Sequence, residues 1–220
     1  MTKSPFDAAE RARRINSYLS SYRERLELLE QMWSDPRVQC YNDAHIPPQA
    51  ELTDGAVFIA GPTSRHQLLE YNYRSEAVGH LREAGFAGYI YVPEPRGKES
   101  GDDFTERGYI HKWESDRLFA QGTKKMFWVP RMADELLGLN TNLEFGIALG
   151  MILAGSRIDL FMGWPESAER MGLPNHYATE LATQRRYESL RSMCFAVMNK
   201  LPPEEAWLID EEDAQEISVT

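Results

Sequence analysis

Two carboxylates stand in settings where a carboxylate could do chemistry. One is Glu144, in the run Asn140-Thr141-Asn142-Leu143-Glu144-Phe145-Gly146, and the other is Glu114, beside Trp113. Two carboxyl groups flanking one cleft are what glycosidic chemistry requires: one attacks or stabilises an oxocarbenium-like carbon, and the other handles the proton of the leaving group. Each has an ordinary alternative. Thr141 and Glu144 have the spacing of a capping box, in which Glu144 would only reach back to the first amides of its helix. The functional reading puts the same carboxylate at a helix N-terminus beyond a strand, where the helix dipole favours the ionised form that a nucleophile needs. From the residues alone the cap is the simpler account. Glu114 is equally compatible with a solvated helix charge.

A third candidate is Gly61-Pro62-Thr63-Ser64-Arg65. A glycine permits close backbone approach, two hydroxyls can donate, and an arginine supplies a planar fork before a helix N-terminus. Together these suit an anion or a sugar-phosphate. A plain strand-to-helix turn with a Ser/Thr cap fits as well. Trp113, Trp128 and Trp164 offer a stacking face for a base, or simply core. The chain has no Walker lysine motif, no G-x-G-x-x-G and no G-x-S-x-G, so those classes lose support. His45, His66, His80, His111 and His176 lack metal-ligand spacing, which makes them structural or surface residues, and no metal or cofactor is expected.

The elements that must position these groups follow an α/β rhythm. Ser4-Pro5 opens a helix whose apolar residues Ile15, Leu19, Tyr22, Leu26, Leu29 and Trp33 form one stripe, stopped by Asp35-Pro36. Val57–Ala60, Tyr89–Val92, Met126–Val129 and Ile158–Phe161 read as short apolar strands. Helices are expected from the Gly-Pro-Thr-Ser-Arg turn to about Glu83, over Arg107–Ala120, from Asn140-Thr141 through Leu153, and as one long helix near Tyr177–Lys200. The pattern favours a doubly wound parallel sheet, whose ligands bind beyond the carboxyl ends of its strands. The expected organisation is an N-terminal helical extension over 1–36, a linker over 37–54, the α/β domain over 55–200 and an acidic tail over 201–220. Gly146 and Gly150, four apart, read as a close-packing record.

Composition narrows the partners. The net charge is −10, and seven of the acids fall in the last twenty residues. That argues against phosphate neutralisation of a nucleic acid, which needs a basic face. The longest glycine-and-apolar run, Phe145 to Gly155, is 11 residues, short of the ~20 a bilayer span needs. With Arg11, Arg13 and Arg14 but no apolar stretch at the N-terminus, no signal peptide is expected. Cys40 and Cys194 form neither a disulfide framework nor a metal knuckle. The expectation is a reduced, cytoplasmic protein.

Six segments in order carry a resemblance. Val57-Phe58-Ile59-Ala60-Gly61-Pro62-Thr63-Ser64-Arg65, Tyr73-Arg74-Ser75-Glu76-Ala77, Val92-Pro93-Glu94-Pro95, Trp113-Glu114, Phe127-Trp128-Val129-Pro130-Arg131 and Thr141-Asn142-Leu143-Glu144-Phe145-Gly146 resemble the nucleoside 2-deoxyribosyltransferase-like family, which includes nucleotide N-glycosidic hydrolases. The resemblance runs from about residue 55 to 165. It implies a flavodoxin-like α/β fold and cleavage of the N-glycosidic bond of a nucleoside or nucleotide. It further implies that Glu144 is the nucleophile, forming a glycosyl ester resolved by a second base or by water, and that Glu114 assists the departing base. The Gly61-Pro62-Thr63-Ser64-Arg65 loop would hold sugar hydroxyls or a 5′-phosphate, Asn142 would orient a sugar hydroxyl, and Arg74, Glu94 and Trp113 would complete the substrate site. A homodimer or larger assembly with shared active sites is the implied state. Two departures stand out: Gln121-Gly122-Thr123-Lys124-Lys125 replaces an Ala-Asp pair usual in relatives, and Tyr73 replaces a tryptophan. With the resemblance added, nucleophile is preferred over cap for Glu144. The alternatives are a catalytically inactive nucleotide-binding or sensing module on the same fold, and a flavodoxin or receiver domain. A receiver would need an aspartate where Pro130-Arg131 stands.

Overall fold

The computed structural model describes residues 27–40, 55–62, 73–94, 104–120, 122–131 and 138–202. Six strands form one sheet: β1 (Val38–Gln39), β2 (Ala56–Ala60), β3 (Tyr89–Tyr91), β4 (Thr123–Trp128), β5 (Leu160–Gly163) and β6 (Arg186–Tyr187). Their order is β1-β3-β2-β4-β5-β6, and every neighbouring pair is parallel. Helices lie between them: α1 at 27–34, α2 (Tyr73–Glu83), α3 (Phe104–Leu118), α4 (Leu139–Leu153), α5 (Gly172–Asn175), a π-helical turn (His176–Leu181) and α6 (Leu190–Ala196). The α/β class read from the sequence is the class observed.

The central strand shows why this order forms. All five residues of β2 are buried, as a strand covered on both faces must be. Its side chains alternate. Val57 and Ile59 join a core with Met32 of α1, Ala77 and Leu81 of α2, and Met193 and Cys194 of α6. Ala56, Phe58 and Ala60 join the opposite core with Trp113 of α3 and Phe145, Ala148 and Leu149 of α4. The second layer is aromatic: the Phe127 and Phe145 rings lie 5.4 Å apart and tilted by 57°. Such a pair contributes about 0.5–1.5 kcal/mol beyond its buried area.

Several boundaries differ from expectation, each for a visible reason. β4 begins at Thr123 rather than Met126 because its lysines are satisfied. The buried Lys125 ammonium donates to the carbonyls of Ala120 at 3.0 Å and Thr123 at 2.5 Å, and Lys124 donates to the Val197 carbonyl. β5 begins at Leu160 and runs to Gly163. The long helix expected near Tyr177–Lys200 does not form. After the π-helical turn, Thr183 takes φ 51° and turns the chain, Arg186 and Tyr187 pair with Met162 and Gly163 as β6, and α6 then starts afresh. Its cap is Ser189, whose side chain accepts from the Ser192 amide at 3.3 Å, a start signal visible in the sequence.

At the other end, α1 stops before Asp35 as the Asp-Pro pair requires. Asp35 then accepts from Arg82 Nε at 2.7 Å, fastening α1 to α2. Val38 and Gln39, within the stretch expected as linker, pair with Ile90 and Tyr91 instead. A two-residue strand is too short to show a period. The loop expected over 94–108 is shorter than that, since α3 already begins at Phe104, and its part over 95–103, with the expectations for 1–26, 41–54 and the tail from 203, lies outside the described residues. Among the described residues no helix is long and apolar enough to cross a membrane.

Candidate active site

The chain leaves β2 for β3 on one side and then returns to β4 on the other. In doubly wound sheets such a reversal marks the crevice where ligands bind, which here falls beyond the carboxyl ends of β2 and β4. Gly61 closes β2 there with φ 148°, and a Cβ on it would lie 2.2 Å from the Trp128 carbonyl oxygen and 2.2 Å from the Tyr73 hydroxyl. Only glycine lets these three segments meet. Pro62 follows and packs against Gly138, which precedes α4 with φ 62°. Pro62, one of the residues expected to hold substrate, therefore borders the start of α4.

Arg74, in the first turn of α2, is buried to 2% exposure. Its guanidinium donates to the Glu94 carboxylate and, from Nη2, to the Gly61 carbonyl at 2.8 Å. Its guanidinium carbon lies 4.9 Å from the centre of the Tyr73 ring. Burial alone would lower the arginine's pKa, but Tyr73, Glu94 and Glu114 together hold it above the ordinary value. The positive charge is locked in place, and a buried charge of this kind persists only when paired.

Glu114 and Glu144 come from the helices on either side of β4 in the chain and reach the same neighbourhood. Burial raises the Glu114 carboxyl above the usual range, and His111 and Arg74 offset part of that. The His111 Nδ1 atom stands 3.6 Å from Glu114 Oε2. Glu144 is pushed up to about 7, first by burial and then by the Glu114 charge, with Arg74 acting against both. The pair consequently holds a proton close to neutral pH while an arginine lies within electrostatic range. Such a site can deliver a proton, recover it, and present a carboxylate to an electrophilic carbon.

Two expectations about Glu144 are corrected. α4 begins at Leu139, its N-terminal flank is Gly138 with no side-chain cap, and Thr141 is buried in the third helical position. Thr141 is thus not the capping residue, and the capping box does not form. Glu144 is in the sixth position, beyond the first turn where the dipole acts. Its proton affinity is raised rather than lowered, because burial and Glu114 dominate.

The other expected residues separate. Trp113 is 4% exposed and packs between Phe58, at 6.3 Å, and Tyr91, at 6.1 Å, with the Arg117 guanidinium 4.3 Å above its ring. It is core, as are Trp128 and Trp164, so the tryptophan stacking face is not present. Asn142, two residues from Glu144, lies about 200° around the helix from it, and its side-chain oxygen accepts from Arg131. Thr63, Ser64 and Arg65 lie outside the described residues. Sequence reasoning missed His111, whose i,i+3 spacing to Glu114 was the available signal. It also missed Arg131, buried at the end of β4 and donating as well to the Arg170 carbonyl at 3.2 Å. Among the described residues no group of three or more metal-binding side chains is assembled. No protein-family model matches the chain, and no curated protein matches it.

Proposed function

We propose that the chain cleaves the N-glycosidic bond of a (deoxy)nucleoside or nucleoside 5′-monophosphate, on a flavodoxin-like fold, through a glycosyl ester on Glu144. The observation that carries this reading is the Glu114–Glu144 pair beside the locked charge of Arg74. The fold supports it: without the edge strand β1, the order β3-β2-β4-β5-β6 is the 2-1-3-4-5 order of flavodoxin-like sheets. The resemblance to nucleoside 2-deoxyribosyltransferase-like proteins supplies the substrate class.

In this mechanism ionised Glu144 attacks the anomeric carbon as the bond to the base nitrogen breaks. The bonding pair leaves with the base, and the proton held on Glu114 moves to it. Water or a second base then attacks the same carbon, Glu114 takes a proton from the incoming group, and Glu144 is released. Transfer and hydrolysis differ only in that acceptor. A second reading, a binding module without turnover, draws on the proton that Glu144 keeps up to about pH 7.

Chromatography of bases released from a panel of nucleosides and 5′-monophosphates, with and without an acceptor base, tests the proposal. Release that disappears in Glu144→Ala supports it. Release unchanged in that variant overturns the assignment, and nucleotide binding without any release favours the second reading.

A further inference from the structure

Two arginines are buried among the described residues, and they are satisfied differently. Arg74 is paired with the Glu94 carboxylate. Arg131 is 7% exposed, and among the described residues no carboxylate pairs with it. Its partners are neutral: Nη1 donates to the Arg170 carbonyl at 3.2 Å, and Nη2 donates to the Asn142 side-chain oxygen. Its Nε is buried without a hydrogen-bond partner. A guanidinium carries five N–H donors in a planar fork, so these two bonds leave most of its capacity unused. A buried charge without a counter-ion is costly. Burial alone acts on this one and lowers its pKa, whereas the pairing of Arg74 raises that of its counterpart.

The backbone holds the group in place. The Arg131 amide donates to the Val129 carbonyl at 2.8 Å, and the Arg131 carbonyl accepts from the Glu169 amide at 3.0 Å. Arg131 is thereby fixed between the end of β4 and the segment that follows β5. Its partner Asn142 is exposed and stands in the first turn of α4, a helix start that no side chain caps. The first amides of a helix have no acceptor within it, and with the helix dipole they favour an anion. The arginine fork and this uncapped turn are therefore joined through one exposed side chain.

We propose that Arg131 and the start of α4 bind a phosphate group, free or as the monoester of a small molecule, which supplies the counter-ion of the buried guanidinium. A planar fork with helix amides beside it offers donors to several oxygens of a tetrahedral oxyanion, more than a carboxylate presents. These residues differ from those that the family resemblance assigns to a 5′-phosphate, which follow β2. Arg131 follows β4 and is bonded to the segment after β5. The inference rests on the surroundings of Arg131 and does not depend on the glycosidic reading.

Titration calorimetry of the full chain in phosphate-free buffer tests it, with inorganic phosphate, ribose 5-phosphate and ribose as probes. Saturable binding of inorganic phosphate shows that the free ion suffices, and binding of ribose 5-phosphate alone shows that the group arrives on a carrier; either supports the proposal. Binding of neither phosphate, or of ribose as tightly as ribose 5-phosphate, overturns it. Arg131→Lys keeps the charge but loses the fork and should weaken phosphate binding by about 10-fold or more. Asn142→Asp sets a carboxylate against the guanidinium, so it should abolish phosphate binding and raise Tm at neutral pH. Phosphate binding unchanged in both variants overturns the proposal. Should circular dichroism show Arg131→Lys unfolded, Asn142→Asp decides: lost binding with a raised Tm supports the site, and any other result overturns it. None of the probes carries a base to release, so failure here and failure of the proposed activity are separable.

Discussion

Glu114, on the helix before β4, raises the proton affinity of Glu144, on the helix after it. The two residues are thirty apart in the chain, and the crevice beside β4 makes them one electrostatic unit. Arg74 joins them from the opposite layer of helices. Because its guanidinium is already held by Glu94 and Gly61, it favours charge on both carboxylates without moving to meet either.

The first prediction concerns pH. The reactive form carries one proton, on Glu114, beside an ionised Glu144, and the pair gives up that proton near pH 7. kcat/KM should therefore be bell-shaped, with its basic limb near pH 7. Glu114→Gln has no proton to lose and lacks the charge that raises Glu144, so its residual activity should show only an acidic limb, below about pH 7 while burial keeps it above 4.5. A pH–rate profile of both proteins checks this, and wild-type activity that keeps rising above pH 7 would contradict the site electrostatics.

Stability carries the same imprint. The folded-state pKa of Glu144 lies above its ordinary 4.5. Its contribution is therefore fully present below about pH 4.5 and is lost as pH rises through about 7. Ionised Glu144 costs the fold up to about 3 kcal/mol at pH 8. Glu144→Gln should accordingly raise Tm at pH 8, by roughly 2–4 °C per kcal/mol recovered, and have little effect at pH 4. Scanning calorimetry at the two pH values measures the difference. A variant less stable at pH 8 would show that Glu144 makes favourable contacts as a carboxylate.

The Arg74–Glu94 pair should be costly to break. Glu94→Ala leaves a buried guanidinium without its carboxylate, and loss of one partner of such a pair destabilises by about 3–5 kcal/mol. Urea unfolding should show the loss at neutral pH, and an effect below about 1 kcal/mol would mean that water reaches Arg74.

Gly61→Ala should be severe. The added carbon meets a backbone oxygen at 2.2 Å at a φ of 148°, and neither can yield without parting β2 from β4. Loss of soluble protein, or destabilisation of at least about 2 kcal/mol in urea, is expected. Wild-type stability in this variant would contradict the close approach.

Much of this architecture was readable from particular residues. The apolar run Val57–Ala60 and the Gly-Pro turn after it gave the central strand and its carboxyl end. Asp35-Pro36 gave the end of α1, and Asn140 to Leu153 gave nearly the whole of α4. The failures share a cause: local pattern was decided by distant partners. Thr123 and Lys125 look like loop until the carbonyls that satisfy the lysine are seen. Arg186 and Tyr187 look helical until β5 pairs with them. Trp113 looked like a stacking face because aromatic type says nothing about which side of a helix meets the sheet. The raised affinity of Glu144 was out of reach for the same reason, since it depends on burial and on Glu114 across the crevice.

The central claim is that Glu144 becomes covalently attached to sugar during turnover. Its most direct test is mass spectrometry of intact protein quenched in acid during steady-state reaction with a substrate from the base-release panel. The account predicts an added mass equal to the glycosyl group of that substrate, placed by peptide mapping on Glu144 and absent in Glu144→Ala. Base release with no adduct on the quenched wild-type protein, or an adduct on another residue, would contradict it.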